Sequence, residues 1–239
     1  RGLVVTGVQT CALPISDVMN ERIIETEECL KEGCIYLADR FPEFSRAVDI
    51  VGSLNLRRRP DGFSQLLSAI VSQQLSVAAA NSIWSRLKSA RLIGPRKIST
   101  ASDEELAAAG LSRQKIRYAR ALANSKINYR KLRGMTSEEV VTELTQVSGN
   151  GSGTAEIYTM FSLGRADVFA PGDLALQESA RLLFDWPSRP KEREFRELSK
   201  AWSPWRSVAA RILWSYYRQV KEREDRKITR LNSSHNQIS

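Results

Sequence analysis

Val147–Phe161 reads VSGNGSGTAEIYTMF, and its interpretation decides the fold. Gly149, Gly151 and Gly153 alternate with Asn150 and Ser152 ahead of an apolar helical run. Glycine lets a partner approach the main chain closely, and the amides at a helix start point outward at whatever lies there. The usual guest is an anion. A Walker-type phosphate loop is a poor fit, because no Gly-Lys-Ser/Thr follows the glycines. A plain αα-turn that needs glycine for a positive φ accounts for the same residues.

Immediately upstream, Thr136 and Glu139 have capping-box spacing before Val140, Val141, Leu144 and Val147. A capped helix, a short glycine hairpin and a second helix from Thr154 to about Leu163 make a helix–hairpin–helix unit. Such a hairpin can hold a DNA phosphate by its amides without reading sequence. Its carbonyls could also hold a monovalent cation that bridges to the phosphate.

Helical periodicity extends nearly throughout, with no internal repeat and little strand-like alternation. Helices are predicted over 21–39, Phe41–Val51, Phe63–Val71, from Val77 after the cap Ser76, in the capped TASDEELAAAGL segment, from Ser112, from Asp173, and over 207–224. LRRRPDG at 56–62 is a basic, turn-prone link. The fold class is therefore all-α.

The 239 residues suffice for one domain or two small ones with a real core. Hydrophobic content of 42% and charged content of 26% indicate a globular chain. No apolar run is long enough to span a bilayer, so no membrane role is expected. The net charge of +9 favours a polyanionic partner. Cys11, Cys29 and Cys34 lack metal-ligand spacing and read as thiols of a reducing cytoplasm. His235 is the only histidine, which nearly excludes histidine-based catalysis or metal binding in the core, and no cofactor is expected.

Residues 1–16 and 227–239 resemble translated sequencing adaptors and are read as non-native. Arg1, Lys227 and Arg230 account for three of the nine positive charges, leaving +6 on residues 17–226. That core divides into lobes of about 65–164 and of 17–64 plus 165–226.

Three further constellations carry chemistry. Asp173 follows Pro171-Gly172 at a helix start, as an N-cap or as an ionised carboxylate beside a developing cation. Trp202, Trp205, Trp214, Tyr216 and Tyr217 are core aromatics, one of which could face a flat ligand. Gln73 and Gln74 in SQQLS are a solvated helix end or a filler for the gap that a displaced base leaves.

The segments LLSAIVSQQLSVAAANSIW, GLSRQKIRYARALA, TAEIYTMFSLGRADVFAPGDLALQ and WSPWRSVAARILW, in this order, resemble the DNA-3-methyladenine glycosylase II family of the helix–hairpin–helix glycosylase superfamily. The resemblance covers residues 22–220 and is to the short form of the family. It implies a two-lobed helical fold with an active cleft between the lobes. The implied partner is double-stranded DNA with damaged bases, and the implied activity is monofunctional excision of alkylated purines by base flipping. A non-catalytic damage-sensing module and a glycosylase for oxidised or mismatched bases are the alternatives.

By the same resemblance, Asp173 falls on the catalytic aspartate and Trp214 on a tryptophan that faces it. Gln74 falls on the wedge with Gln73 beside it, and Gly149, Gly151 and Thr154 fall on the pattern of the phosphate-binding hairpin, which also includes Gly153; cation–π attraction to an electron-poor base would let Tyr158 join Trp214 against it. Two positions depart from the family pattern: Asn150 replaces an aliphatic residue and Gly153 often an aromatic one. In bifunctional relatives a lysine occupies the position of Gly153, so no Schiff-base strand cleavage is expected. A monomer acting on the nucleoid in a bacterial cytoplasm is the expected setting.

Overall fold

The computed structural model describes the backbone of residues 21–235 and the side chains of residues 21–226. The segment 1–16 lies outside the described residues. Among the described residues the chain is helical apart from one isolated antiparallel bridge, Ile23 to Arg165. The helices are α1 (Glu27–Arg40), α2 (Pro42–Val51), α3 (Phe63–Ser72), α4 (Val77–Ser89), α5 (Pro95–Thr100), α6 (Asp103–Ala108) and α7 (Arg113–Asn124). They continue as α8 (Tyr129–Leu132), α9 (Ser137–Thr145), α10 (Ser152–Phe161), α11 (Leu174–Leu183), α12 (Glu192–Ser199) and α13 (Arg206–His235), with a 3₁₀ turn at Lys200–Trp202.

Local chemistry sets most boundaries. Ser76, Ser102, Ser112, Thr136 and Asp173 each accept a backbone N–H of the turn that they cap. Such a cap is worth about 1 kcal/mol. The helix predicted from residue 21 starts six residues late. Thr26 caps it by accepting from the Cys29 amide at 3.4 Å. The preceding residues run extended instead, the Ile24 amide donating to the Gly164 carbonyl at 2.7 Å and Ala166 to Arg22 at 2.8 Å. Tertiary pairing outcompetes helical propensity there. At the other end, α13 continues beyond residue 224 to His235.

Two hydrophobic cores make the two lobes. One gathers Leu30, Leu37 and Phe44 with Leu176, Trp202, Val208 and Leu213. Its aromatics pack edge to face, Phe44 against Trp202 at 5.2 Å and Phe169 against Phe195 at 5.0 Å. The other gathers Leu66, Leu67 and Ile70 with Leu87, Leu106, Leu122, Val140 and Leu144. α10 belongs to both: Met160 and Phe161 enter the first core, Ala155 and Tyr158 the second. Both candidate functional regions therefore lie on or beside one buried helix.

Candidate active site

The hairpin joins α9 to α10 through Gln146–Gly151. α10 begins at Ser152 with Gly151 as its cap, two residues earlier than the sequence predicts. Gly153 therefore sits inside the first helical turn, where the amides of Ser152, Gly153 and Thr154 have no intrahelical acceptor. Gly149 has φ +96°, and a Cβ there would lie 2.5 Å from the Tyr118 ring. Only glycine fits that site. At Gly151 and Gly153 a Cβ would meet nothing within 4 Å. Asn150 is 4% exposed, and neither its amide nitrogen nor its oxygen has a hydrogen-bond partner. The carbonyls of Val147, Gly149 and Gly151 each accept a protein donor already.

SQQLS separates into two roles. Gln73 ends α3 and donates from Nε2 to the Gly149 carbonyl at 2.8 Å, bracing the hairpin. Gln74 sits exposed at the tip of the turn with φ +57°. Exposed Leu75 and Val77 flank it. Lys115 of α7 donates to the Val71 carbonyl at the C-terminal end of α3, where a cation is favourably placed.

Between α3 and α10 lies a cleft of about 560 Å³ lined by Gln65, Ser68, Ser72, Gln73, Thr154 and Tyr158, with Gly153 at its edge and Arg59 the one charged residue. Tyr158 is 3% exposed, and its hydroxyl accepts from the Gly62 amide at 2.8 Å. Burial pushes its phenol up to about 12, so it stays protonated.

Asp173 caps α11. Its Oδ1 accepts from the Leu176 amide at 2.9 Å and from the Trp214 indole at 3.1 Å, while Oδ2 accepts from no group among the described residues. Gln177 donates to the Pro171 carbonyl at 2.8 Å and fixes the Pro-Gly turn ahead of Asp173. Trp214 packs on Phe161 at 5.8 Å, tilted 33°. The structure thus joins Asp173 to Trp214, and Gln73 to Gly149.

It does not bring Tyr158 and Trp214 to one cavity. Tyr158 lines the α3–α10 cleft, and Trp214 lines a second cavity beyond Phe161. Tyr158 and Phe161 share one face of α10, but Phe161 lies one turn further along, where it packs on Trp214. Arg59 and Arg211, which stand over the Phe161 ring at 5.1 and 4.4 Å, escaped the sequence reading. The available signal was an arginine in the otherwise apolar SVAARILW.

Residues 67–204 match the HhH-GPD superfamily of base excision DNA repair proteins. The chain belongs to this superfamily. Within it, the chain sits with the DNA-3-methyladenine glycosylase II-like proteins. It is 31% identical over 197 residues to DNA-3-methyladenine glycosylase 1 of Schizosaccharomyces pombe, covering 77% of this chain and 86% of the relative. The structure of the S. pombe 3-methyladenine DNA glycosylase in complex with abasic DNA superposes with a TM-score of 0.70 at 30% identity, over 77% of this chain and 95% of that one. The DNA-3-methyladenine glycosidase of Bacillus halodurans gives 0.70 at 31% identity, over 85% and 95%. This HhH-GPD protein is accordingly a DNA-binding base excision repair protein of the glycosylase kind, hydrolytic in the broad sense. Among its described residues no helix is long and apolar enough to cross a membrane.

Proposed function

We propose that this protein is a monofunctional DNA glycosylase that releases alkylated purines, of the 3-methyladenine and 7-methylguanine type, from duplex DNA. The observation that carries the reading is the Asp173 carboxylate, oriented through Oδ1 by the Leu176 amide and the Trp214 indole with Oδ2 left over. A purine alkylated at N3 or N7 is already cationic. Its C1′–N bond breaks with the electron pair leaving on the base, which departs neutral without a general acid. The sugar becomes oxocarbenium-like, and the ionised Asp173 stabilises that charge. Water then adds at C1′, and its proton passes to Asp173 and on to solvent.

The other roles follow. The α3–α10 cleft beside Tyr158 admits the flipped base and Trp214 stacks on it beside Asp173; extrusion costs a few kcal/mol and least at a damaged pair. Gln74, carried at the exposed turn tip, fills the gap in the stack. The amides of Gly151, Gly153 and Thr154 beyond Gly149 hold a backbone phosphate. Gly153 offers no amine, so the product is an intact abasic site. The protein works as a monomer, in a bacterial cytoplasm on nucleoid DNA.

One observation favours a second reading. Beside Leu66, Ala69 and Ile157, the polar lining of the cleft is amides, hydroxyls and Arg59, with no carboxylate to attract a cationic base. An oxidised or mismatched base with carbonyl acceptors would suit that lining. Incubation with methylated duplex, followed by chromatography of the released bases and borohydride trapping, separates the readings. Free methylated purines, intact abasic sites and no trapped protein–DNA adduct are expected. Release only from oxidised or mismatched duplex would install the second reading. Tight abasic-site binding without any release would make the protein a non-catalytic sensor.

A further inference from the structure

Most arginines that reach a neighbour in this protein are matched by acids. Arg22, Arg120, Arg133, Arg165, Arg181, Arg189, Arg196 and Arg206 all form ion pairs. One group is not. Arg211 is 5% exposed in the second turn of α13. Nη1 donates to the Ser207 carbonyl at 3.1 Å and Nη2 to that of Met160 at 3.4 Å, while Nε is buried without a partner. Its neighbours in charge are other cations. Burial together with Arg58 and Arg57 pulls its guanidinium down to about 10, which leaves it charged at neutral pH.

A buried cation without a counter-charge costs several kcal/mol. The Phe161 ring beneath Arg211 offsets only part of this, since a cation–π contact is worth about 0.5–2 kcal/mol. The side of Arg211 away from the core opens on a cavity of about 270 Å³ bounded by Arg57, Arg218, Phe161, Trp214 and Glu222. Arg57 is held there with φ +39°, a left-handed backbone that a non-glycine residue adopts only at a cost. Arg218 lies seven residues after Arg211, two turns along the same face of α13. Glu222 is the single acid on the rim and pairs with none of the arginines.

We propose that this cavity is a phosphate-binding site, separate from the hairpin, that takes the phosphate of a DNA backbone or of a small phosphate ester. The arginine fork matches phosphate geometry, and the cavity is smaller than the roughly 300–1,000 Å³ typical of drug-sized organic ligands. An anion there supplies the missing counter-charge to Arg211. Because Trp214 walls this cavity and also donates to Asp173, a phosphate bound here sits one side chain from the carboxylate assigned to chemistry. The site does not depend on which base is released.

The test uses the full chain and the exposed pair Arg57→Ala and Arg218→Ala, which leaves the buried Arg211 in place. Inorganic phosphate, titrated against chloride at constant ionic strength, should raise the melting temperature saturably. A shift of roughly 5–10 °C is expected at a hundredfold excess over Kd, and the double variant should lose it. In a second arm, binding of abasic-site duplex is followed against salt. If the site takes a backbone phosphate, the log–log slope of the double variant becomes shallower by about 1. If phosphate stabilises only the parent and the slopes agree, the site takes a small phosphate ester. A parent that shows no saturable shift, with equal slopes for both proteins, would overturn the proposal.

Discussion

The Asp173 corner and the Gly149–Thr154 hairpin are both helix N-termini, and they are built to different standards. At Asp173 the Leu176 amide and the Trp214 indole both donate to Oδ1, and Gln177 holds the Pro171 carbonyl of the preceding turn. At the hairpin a buried amide has no partner, and two of three glycines face open space. The carboxylate is aimed by its surroundings, whereas the hairpin is braced from outside by Gln73 on the Gly149 carbonyl and by the Tyr118 ring beside Gly149. Orientation is therefore the scarce commodity at the first region and backbone freedom at the second.

The sharpest break of this contrast is Asp173→Asn, which keeps the shape and removes the charge. Single-turnover release of methylated purine should fall by about 10²–10³, as when one electrostatic contact to a developing charge is lost. Affinity for abasic duplex should stay within a few-fold. Release at the parental rate would remove Asp173 from the chemistry and erase the difference between the regions.

Next in size is Gly149→Ala. The positive φ and the Tyr118 ring together should cost about 2–4 kcal/mol in denaturant unfolding. If the hairpin is as underbuilt elsewhere as it looks, Asn150→Ile should move stability the other way. Removing the unpartnered amide and burying carbon should add about 1–2 kcal/mol. The smallest effect belongs to Gly153→Ala, placed in the first turn of α10 with open space around it. Reduced entropy of the unfolded chain should give about 0.4–1 kcal/mol. A loss of stability at Gly153 equal to that at Gly149 would show that the two glycines are not distinct.

The same contrast separates what was legible in the sequence from what was not. Caps are short-range: Ser76, Thr136 with Glu139, and Asp173 could be assigned because each acts on an amide three residues away. The helix–hairpin–helix unit was legible for that reason, and its alternating glycines marked a turn before any contact was known. Long-range partners left no such mark. Gln73 looks identical to Gln74 in the string, and only the approach of α3 to the hairpin gives one a carbonyl and the other solvent. Arg211 is one basic letter in an apolar helix, and its lack of a counter-ion is a property of everything folded around it. The extended start at Ile23 likewise needed Gly164, some 140 residues away, to be seen.

α10 contributes side chains to both cores, and this has a consequence for how the molecule comes apart. A hinge between the lobes would have to divide a helix whose Phe161 is packed in one core and whose Tyr158 is packed in the other. Neither lobe can lose its interior while the other keeps its own intact. The amides of Tyr158 to Phe161 should therefore exchange with solvent only through global opening, and the two cores should melt as one cooperative unit rather than as two. For a protein that pries nucleotides out of a stack, such a spine means that the work of distortion falls on the DNA.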